Sequence, residues 1–159
     1  MTVDFAIKRF YGCSVACIRQ EGWKGEAKLR ENFDVIHKWA KDKGIKTGRW
    51  FFTEFGGFDV PDSKRGMEAA IEIKGKARSK GNIKIRTFKP TSVAYVKFDP
   101  DKVSPRVIYH GLESWLGWQK KDKKYKEMGN WREVYNGDPW TNSRAWASTE
   151  IQVPVKKLD

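Results

Sequence analysis

Glu150 stands four residues after Trp146 in the stretch Ala-Trp-Ala-Ser-Thr-Glu-Ile-Gln-Val-Pro-Val, residues 145–155. Read as a strand, this stretch sends successive side chains to opposite faces. Ala147, Thr149, Ile151, Val153 and Val155 then form an apolar team, and Trp146, Ser148, Glu150 and Gln152 form the other. A carboxylate beside an indole suits a cation. The ring alone attracts one by about 0.5–2 kcal/mol. Partly desolvated and unpaired, such a carboxyl has a raised pKa and becomes a candidate general acid or base. The competing reading is an ordinary ion pair across the sheet, since 32 Lys and Arg are available as partners. A weaker copy, Ala69-Ala70-Ile71-Glu72-Ile73, lies 78 residues earlier and sets Glu72 on Glu150.

Other reactive constellations are missing from the chain. Cys13 and Cys17 lie four apart on one strand face, about 13 Å from each other at ~3.3 Å per residue, too far for a disulfide. There is no Cys-x-x-Cys, and no metal-ligand spacing with His37 or His110. No Ser-His-Asp or Cys-His arrangement is readable. The expectation is no metal and no cofactor, with both thiols reduced in a cytoplasmic protein. No signal peptide and no stretch long enough to span a bilayer is present, so no membrane partner is expected.

The same 78-residue offset recurs elsewhere. Ile7, Phe10, Ser14, Val15 and Ala16 return as Ile85, Phe88, Ser92, Val93 and Ala94, Lys8 falls on Arg86, and Pro61 falls on Pro139. The chain therefore reads as one domain, 1–159, made by tandem duplication of residues about 1–78 and 79–159. Each half is strand, helix, strand, strand. Val3–Arg19 is strand-like with a break near Tyr11-Gly12. Glu26–Lys43 places Leu29, Phe33, Ile36 and Trp39 or Ala40 at helical spacing, with Gly44 as a stop. Ser104-Pro105 is an N-cap and first-turn proline for a second helix through Trp118. Aromatic strands follow, Arg49–Phe55 and Trp131–Tyr135, each ended by a glycine turn. Lys120–Lys126 reads as a solvated loop.

The fold class expected is α+β, a mostly antiparallel sheet with helices on one face and a central ligand groove on the other. Trp50, Phe52 and Glu54 share a strand face, as do Trp131, Glu133 and Tyr135, and the sequence does not say which face meets the groove. Aromatic walls with a few polar groups suit a flat hydrophobic ligand. The net charge of +12 would attract anions. No nucleic-acid motif accompanies it, so nucleic acid is possible but not favoured.

These residues resemble a known family. "IRTFKPTSVAYVKF", "LESWLGW", "VYNGDP" and "STEIQVPV" in the second half look like the GyrI-like (gyrase-inhibitor-like) small-molecule-binding domains, which also serve as effector-binding domains of AraC- and MerR-type regulators. The resemblance covers essentially the whole chain, and Thr149-Glu150-Ile151-x-Val153-Pro154-Val155 is its most specific part. It implies a groove for bulky hydrophobic, often cationic compounds, with Glu150 as the anchoring acid. Some similar proteins hydrolyse cyclopropane-bearing alkylating natural products with an acid and a tyrosine, and others are implicated in binding gyrase. No helix-turn-helix segment precedes the first strand, so a stand-alone form is expected.

The leading expectation is a binder of bulky hydrophobic or aromatic, possibly cationic, small molecules that senses or sequesters xenobiotics, as a monomer or weak homodimer. Its ligand-binding candidates are Glu150, Trp146, Tyr95, Tyr135, Trp131, Glu72, Trp50 and Phe52. The alternative is a cyclopropanoid-type hydrolase with Glu150 activating water and Tyr95 or Tyr135 donating to the leaving oxygen. A third reading is a gyrase- or nucleic-acid-interacting protein.

Overall fold

The computed structural model describes residues 3–56 and 61–159. Gly57, which belongs to the first glycine turn, lies outside them. The chain forms two compact units. One is Gly12–Lys89, and the other joins Met1–Tyr11 to Pro90–Asp159.

In the unit Gly12–Lys89, β2 (Cys13–Glu21), β3 (Lys46–Phe55), β4 (Gly66–Lys74) and β5 (Lys84–Phe88) form an antiparallel sheet in the order β3-β4-β2-β5. Helix α1 (Glu26–Asp42) buries Leu29, Phe33 and Ile36, as the spacing predicts, and takes Ala40 rather than Trp39 as the last member of the stripe. It ends because Gly44 takes φ 68, a conformation that glycine adopts without a Cβ clash. The next amide, of Ile45, then bonds back to the Ala40 carbonyl at 2.8 Å.

In the other unit, β1 (Ala6–Phe10), β6 (Thr91–Phe98), β9 (Thr149–Lys157) and β8 (Arg132–Tyr135) pair in that order, all antiparallel, and β7 (Tyr125–Glu127) adds to β9. Helix α2 (Pro105–Lys121) lays Ile108, Leu112 and Leu116 on Ala94, Val96, Phe98, Ile151, Val153 and Val155. Full burial of each such aliphatic side chain stabilises by roughly 1.5–3 kcal/mol. One face of this sheet is thus a helix-covered core. The other carries Lys8, Tyr95, Lys97, Glu150, Gln152 and Arg132, because directly opposed residues share a face.

The duplication appears as matching elements: 78 residues separate β1 from β5 and the starts of β2 and β6. It also shows an exchange. The first strand of each repeat pairs with the second strand of the other, β1 with β6 and β5 with β2.

Three expectations change. Residues Ser143–Ala147 form a short helix, α3, rather than the start of the last strand. Asn142 caps it, its side chain accepting from the amides of Arg144 and Ala145. Trp146 is therefore not on a strand face with Glu150. The lysine-rich run also contributes a strand, β7, at its end. Finally, Glu72 is not the counterpart of Glu150. Arg19 and Lys97, 78 apart, lie opposite Glu68 and Glu150. Glu68 is the counterpart, and the last strands are four residues out of step with the rest of the repeat.

Candidate functional site

Strand β8 is short and alternates. Arg132 and Val134 point to the face away from α2, so Trp131, Glu133 and Tyr135 point to the helix side. There they meet Tyr109, which lies on α2 beside the buried Ile108. The Tyr109 hydroxyl donates to Glu133 Oε1 at 2.8 Å, and the Tyr135 hydroxyl donates to Oε2 of the same carboxylate. The Tyr109 and Trp131 rings stack, with centroids 5.6 Å apart and planes 16° from parallel. Trp131 is fixed in turn by its indole N–H, which donates to Glu127 at 3.0 Å. Tyr135 is buried, whereas Tyr109, Trp131 and Glu133 are half-buried.

This arrangement brings together a carboxylate held by two phenol hydroxyls and a half-buried aromatic pair packed against the core. The aromatic pair offers a flat apolar surface for stacking. With both phenol protons donated to Glu133, the lone pairs of the carboxylate and phenol oxygens are what the cluster offers, as acceptors. Sequence reasoning grouped Trp131, Glu133 and Tyr135 on one face but did not single out Glu133 or Tyr109. The alternation in Trp-Arg-Glu-Val-Tyr was the available signal. What was missing was which face the helix covers.

Glu150 lies in the same unit on the opposite face of the sheet and is 5% exposed. Both of its oxygens accept from Lys8 Nζ at 2.9 Å, Gln152 donates to Oε2, and Lys97 Nζ is 3.9 Å away. Lys8 also sits over the Tyr95 ring, 4.1 Å from its centroid. Glu150 and Tyr95 are therefore neighbours, with a lysine already in the position that a ligand cation would take. Trp146 is turned elsewhere, its indole N–H donating to Asp101 at 3.0 Å.

The remaining candidates belong to the unit Gly12–Lys89. Trp50 is buried under α1, stacked on Phe33 at 4.8 Å and edge-on to His37 at 5.5 Å. Phe52 contacts Trp23 at 6.0 Å. Glu72 lies on the face away from α1 and is held by the Arg49 amide at 3.1 Å, the Arg49 guanidinium at 3.0 and 3.3 Å, and Lys74 at 3.3 Å. Burial raises the Glu72 pKa, but the Arg49 hydrogen bonds and charge, with Lys74, outweigh it and bring the pKa down to about 2. Glu68, paired with Arg86 at 2.7 Å, is buried enough for desolvation to leave its carboxyl raised despite Arg86 and Arg19. Burial, followed by the Glu68 charge, pushes the Cys17 thiol up to about 11. Cys13 and Cys17 are not in a disulfide. Among the described residues no group of three His, Cys, Asp or Glu is placed to hold a metal ion, and no helix is long and apolar enough to cross a membrane.

The fold is shared with the C-terminal domain of EcmrR. The crystal structure of that domain matches with a TM-score of 0.75 at 21% identity, over 99% of this chain and 100% of that one. A cryo-EM structure of the EcmrR–DNA complex matches equally well, and there this chain spans 58% of the EcmrR chain. A hydrolase from Listeria innocua matches with a TM-score of 0.58 at 10% identity, over 94% of this chain and 91% of that one. At these identities the likeness establishes a common fold, the α+β GyrI-like fold that the sequence implied. No protein-family model and no curated protein matches the chain.

Proposed function

We propose that this chain binds bulky, ring-bearing hydrophobic small molecules against Tyr109 and Trp131, with Glu133 as the polar anchor, and so senses or sequesters xenobiotic compounds. The observation that carries this reading is the Glu133 carboxylate held by the Tyr109 and Tyr135 hydroxyls beside a stacked, half-buried Tyr109–Trp131 pair. Flat apolar walls with a few oriented polar groups are what small-molecule sites use. A cationic ring system would gain from both the aromatic faces and the carboxylate. A neutral planar ligand would keep the stacking alone. The fold shared with the EcmrR C-terminal domain is consistent with a binding module. Glu150, with Lys8 on both of its oxygens, is assigned a structural role in this reading.

The test is quenching of Trp fluorescence by a panel of planar neutral and cationic compounds, with mass spectrometry of the recovered compound. Micromolar quenching that weakens about tenfold or more in Glu133→Gln and stays within twofold in Trp146→Phe supports the assignment. Quenching lost in Glu150→Gln but kept in Glu133→Gln would transfer the anchor to Glu150.

A second reading is hydrolysis. A tyrosine hydroxyl on a carboxylate joins a donor for a leaving oxygen to a base for water, and the fold is shared with a Listeria innocua hydrolase. Recovery of a hydrated product that is absent with Glu133→Gln would select this reading over binding alone.

A further inference from the structure

Each unit has one long helix, and the two helices differ on their solvent side. The outer face of α1 carries the ion pairs Lys28–Glu31 at 3.1 Å and Lys38–Asp42 at 2.8 Å. On α2 the stripe Val107, Gly111, Ser114 and Trp118, at helical spacing, has no charged member. Val107 and Trp118 are 61% and 59% exposed and stand outside the core cluster. They are joined by two further apolar side chains. Phe5 seats on Gly111, where a Cβ would stand 2.8 Å from its ring, and its centroid is 6.3 Å from that of Trp115. Both rings are half-buried. Trp115 is one turn from Trp118, and Gly111 is one turn from Val107, so Val107, Phe5, Trp115 and Trp118 form one continuous patch.

We infer that this patch is the contact face of a homodimer, in which α2 of one copy packs antiparallel on α2 of a second. The spacing is self-complementary, as a two-fold interface requires. An axis passing midway between Leu112 and Glu113 sets Val107 of each copy on Trp118 of the other. The same axis sets the Phe5 ring, raised over Gly111, on the small Ser114 of the other copy. Antiparallel packing also brings the positive N-terminal end of each helix dipole beside the negative C-terminal end of its partner. Aromatic side chains in a patch free of charge are what interface cores are enriched in. Trp118 and Val107 alone offer about 200 Å² per copy, taking about 150–250 Å² for a whole aromatic side chain. With Phe5 and Trp115 added, the contact falls near or below the ~1,200 Å² at which stable interfaces begin, so the dimer is a reversible one. A bilayer would need the whole apolar face of the helix, and Ile108, Leu112 and Leu116 are already committed to the core. The patch flanks that buried row on the side opposite Tyr109 and is independent of the small-molecule reading.

The test is sedimentation equilibrium of the whole chain from about 1 to about 500 µM, where contacts of this size dissociate. A monomer–dimer equilibrium with its dissociation constant inside that range is expected. Val107→Glu and Trp118→Lys, each checked for unchanged melting, should each weaken it about tenfold or more. Mixed in equal amounts, the two variants should associate again. In the mixed pair one Val107–Trp118 contact is native and the other is replaced by an ion pair. Val35→Glu, at the exposed hydrophobic residue of α1, should leave the dissociation constant within about twofold. A chain that stays monomeric throughout would overturn the inference, as would association that neither α2 substitution weakens. So would two variants that fail to recover on mixing, or binding to phosphatidylcholine vesicles in place of self-association.

Discussion

Replacing Glu72 with Gln removes a charge and leaves the shape of the side chain nearly unchanged. The Glu72 carboxyl is held at about 2 against an ordinary 4.5 by Arg49 and Lys74. At 1.36 kcal/mol per unit this sets a ceiling of about 3 kcal/mol. The partner side chains are 33% and 59% exposed, so solvent screens part of the attraction and about 1–2 kcal/mol is expected. For a chain of this size that lowers the melting temperature by about 3–6 °C. The sign follows from linkage. The folded pKa is depressed, so the stabilisation is complete above the unfolded value of 4.5 and is lost as pH falls toward about 2. Urea unfolding of wild type and Glu72→Gln from pH 7 to pH 2.5 reads the gap directly, and other carboxylates cancel in the difference. Gly48→Ala should mimic the loss, because a Cβ there would stand 2.6 Å from Glu72 Oε1 and push it off Arg49. A gap below about 0.3 kcal/mol at pH 7, or one that does not shrink on acidification, would refute the reasoning.

Glu68 should behave in the opposite sense. Desolvation leaves its folded pKa raised, so its contribution is present below the unfolded value and declines as pH rises through the folded one. Glu68→Gln should therefore gain on wild type between pH 4 and pH 7 in the same unfolding series. Lys8→Met strands Glu150 in a site that is 5% exposed and should cost about 2–3 kcal/mol. Adding Glu150→Gln should recover part of that loss, which a double-mutant cycle by urea denaturation measures. Cys17, with its thiol pushed up to about 11, should resist thiol reagents at pH 8 until the protein unfolds, and mass mapping of labelled peptides checks this.

Much of the architecture was legible because it rests on local periodicity. The α1 stripe of Leu29, Phe33 and Ile36, the Ser104-Pro105 start of α2 and the break at Tyr11-Gly12 are short-range signals, and each element falls where they put it. The start of the last strand was misread because Asn142 is a cap whose partners are the two amides that follow it, a competing signal for helix at 143–147. The pairing of Glu72 with Glu150 failed for a different reason. Both flank apolar alternation, and a match by identity cannot see a four-residue slip that the pairing of Arg19 with Glu68 and Lys97 with Glu150 reveals.

By itself the sequence determined the α+β class, the duplication and the grouping of Trp131, Glu133 and Tyr135 on one strand face, since these depend on spacing along the chain. Only the tertiary structure decided which carboxylate meets a lysine and which meets phenols. Lys8 reaches Glu150 across 142 residues of sequence, and Tyr109 reaches Glu133 across 24. Such contacts are set by strand register and by the face each helix covers, and no local pattern encodes them.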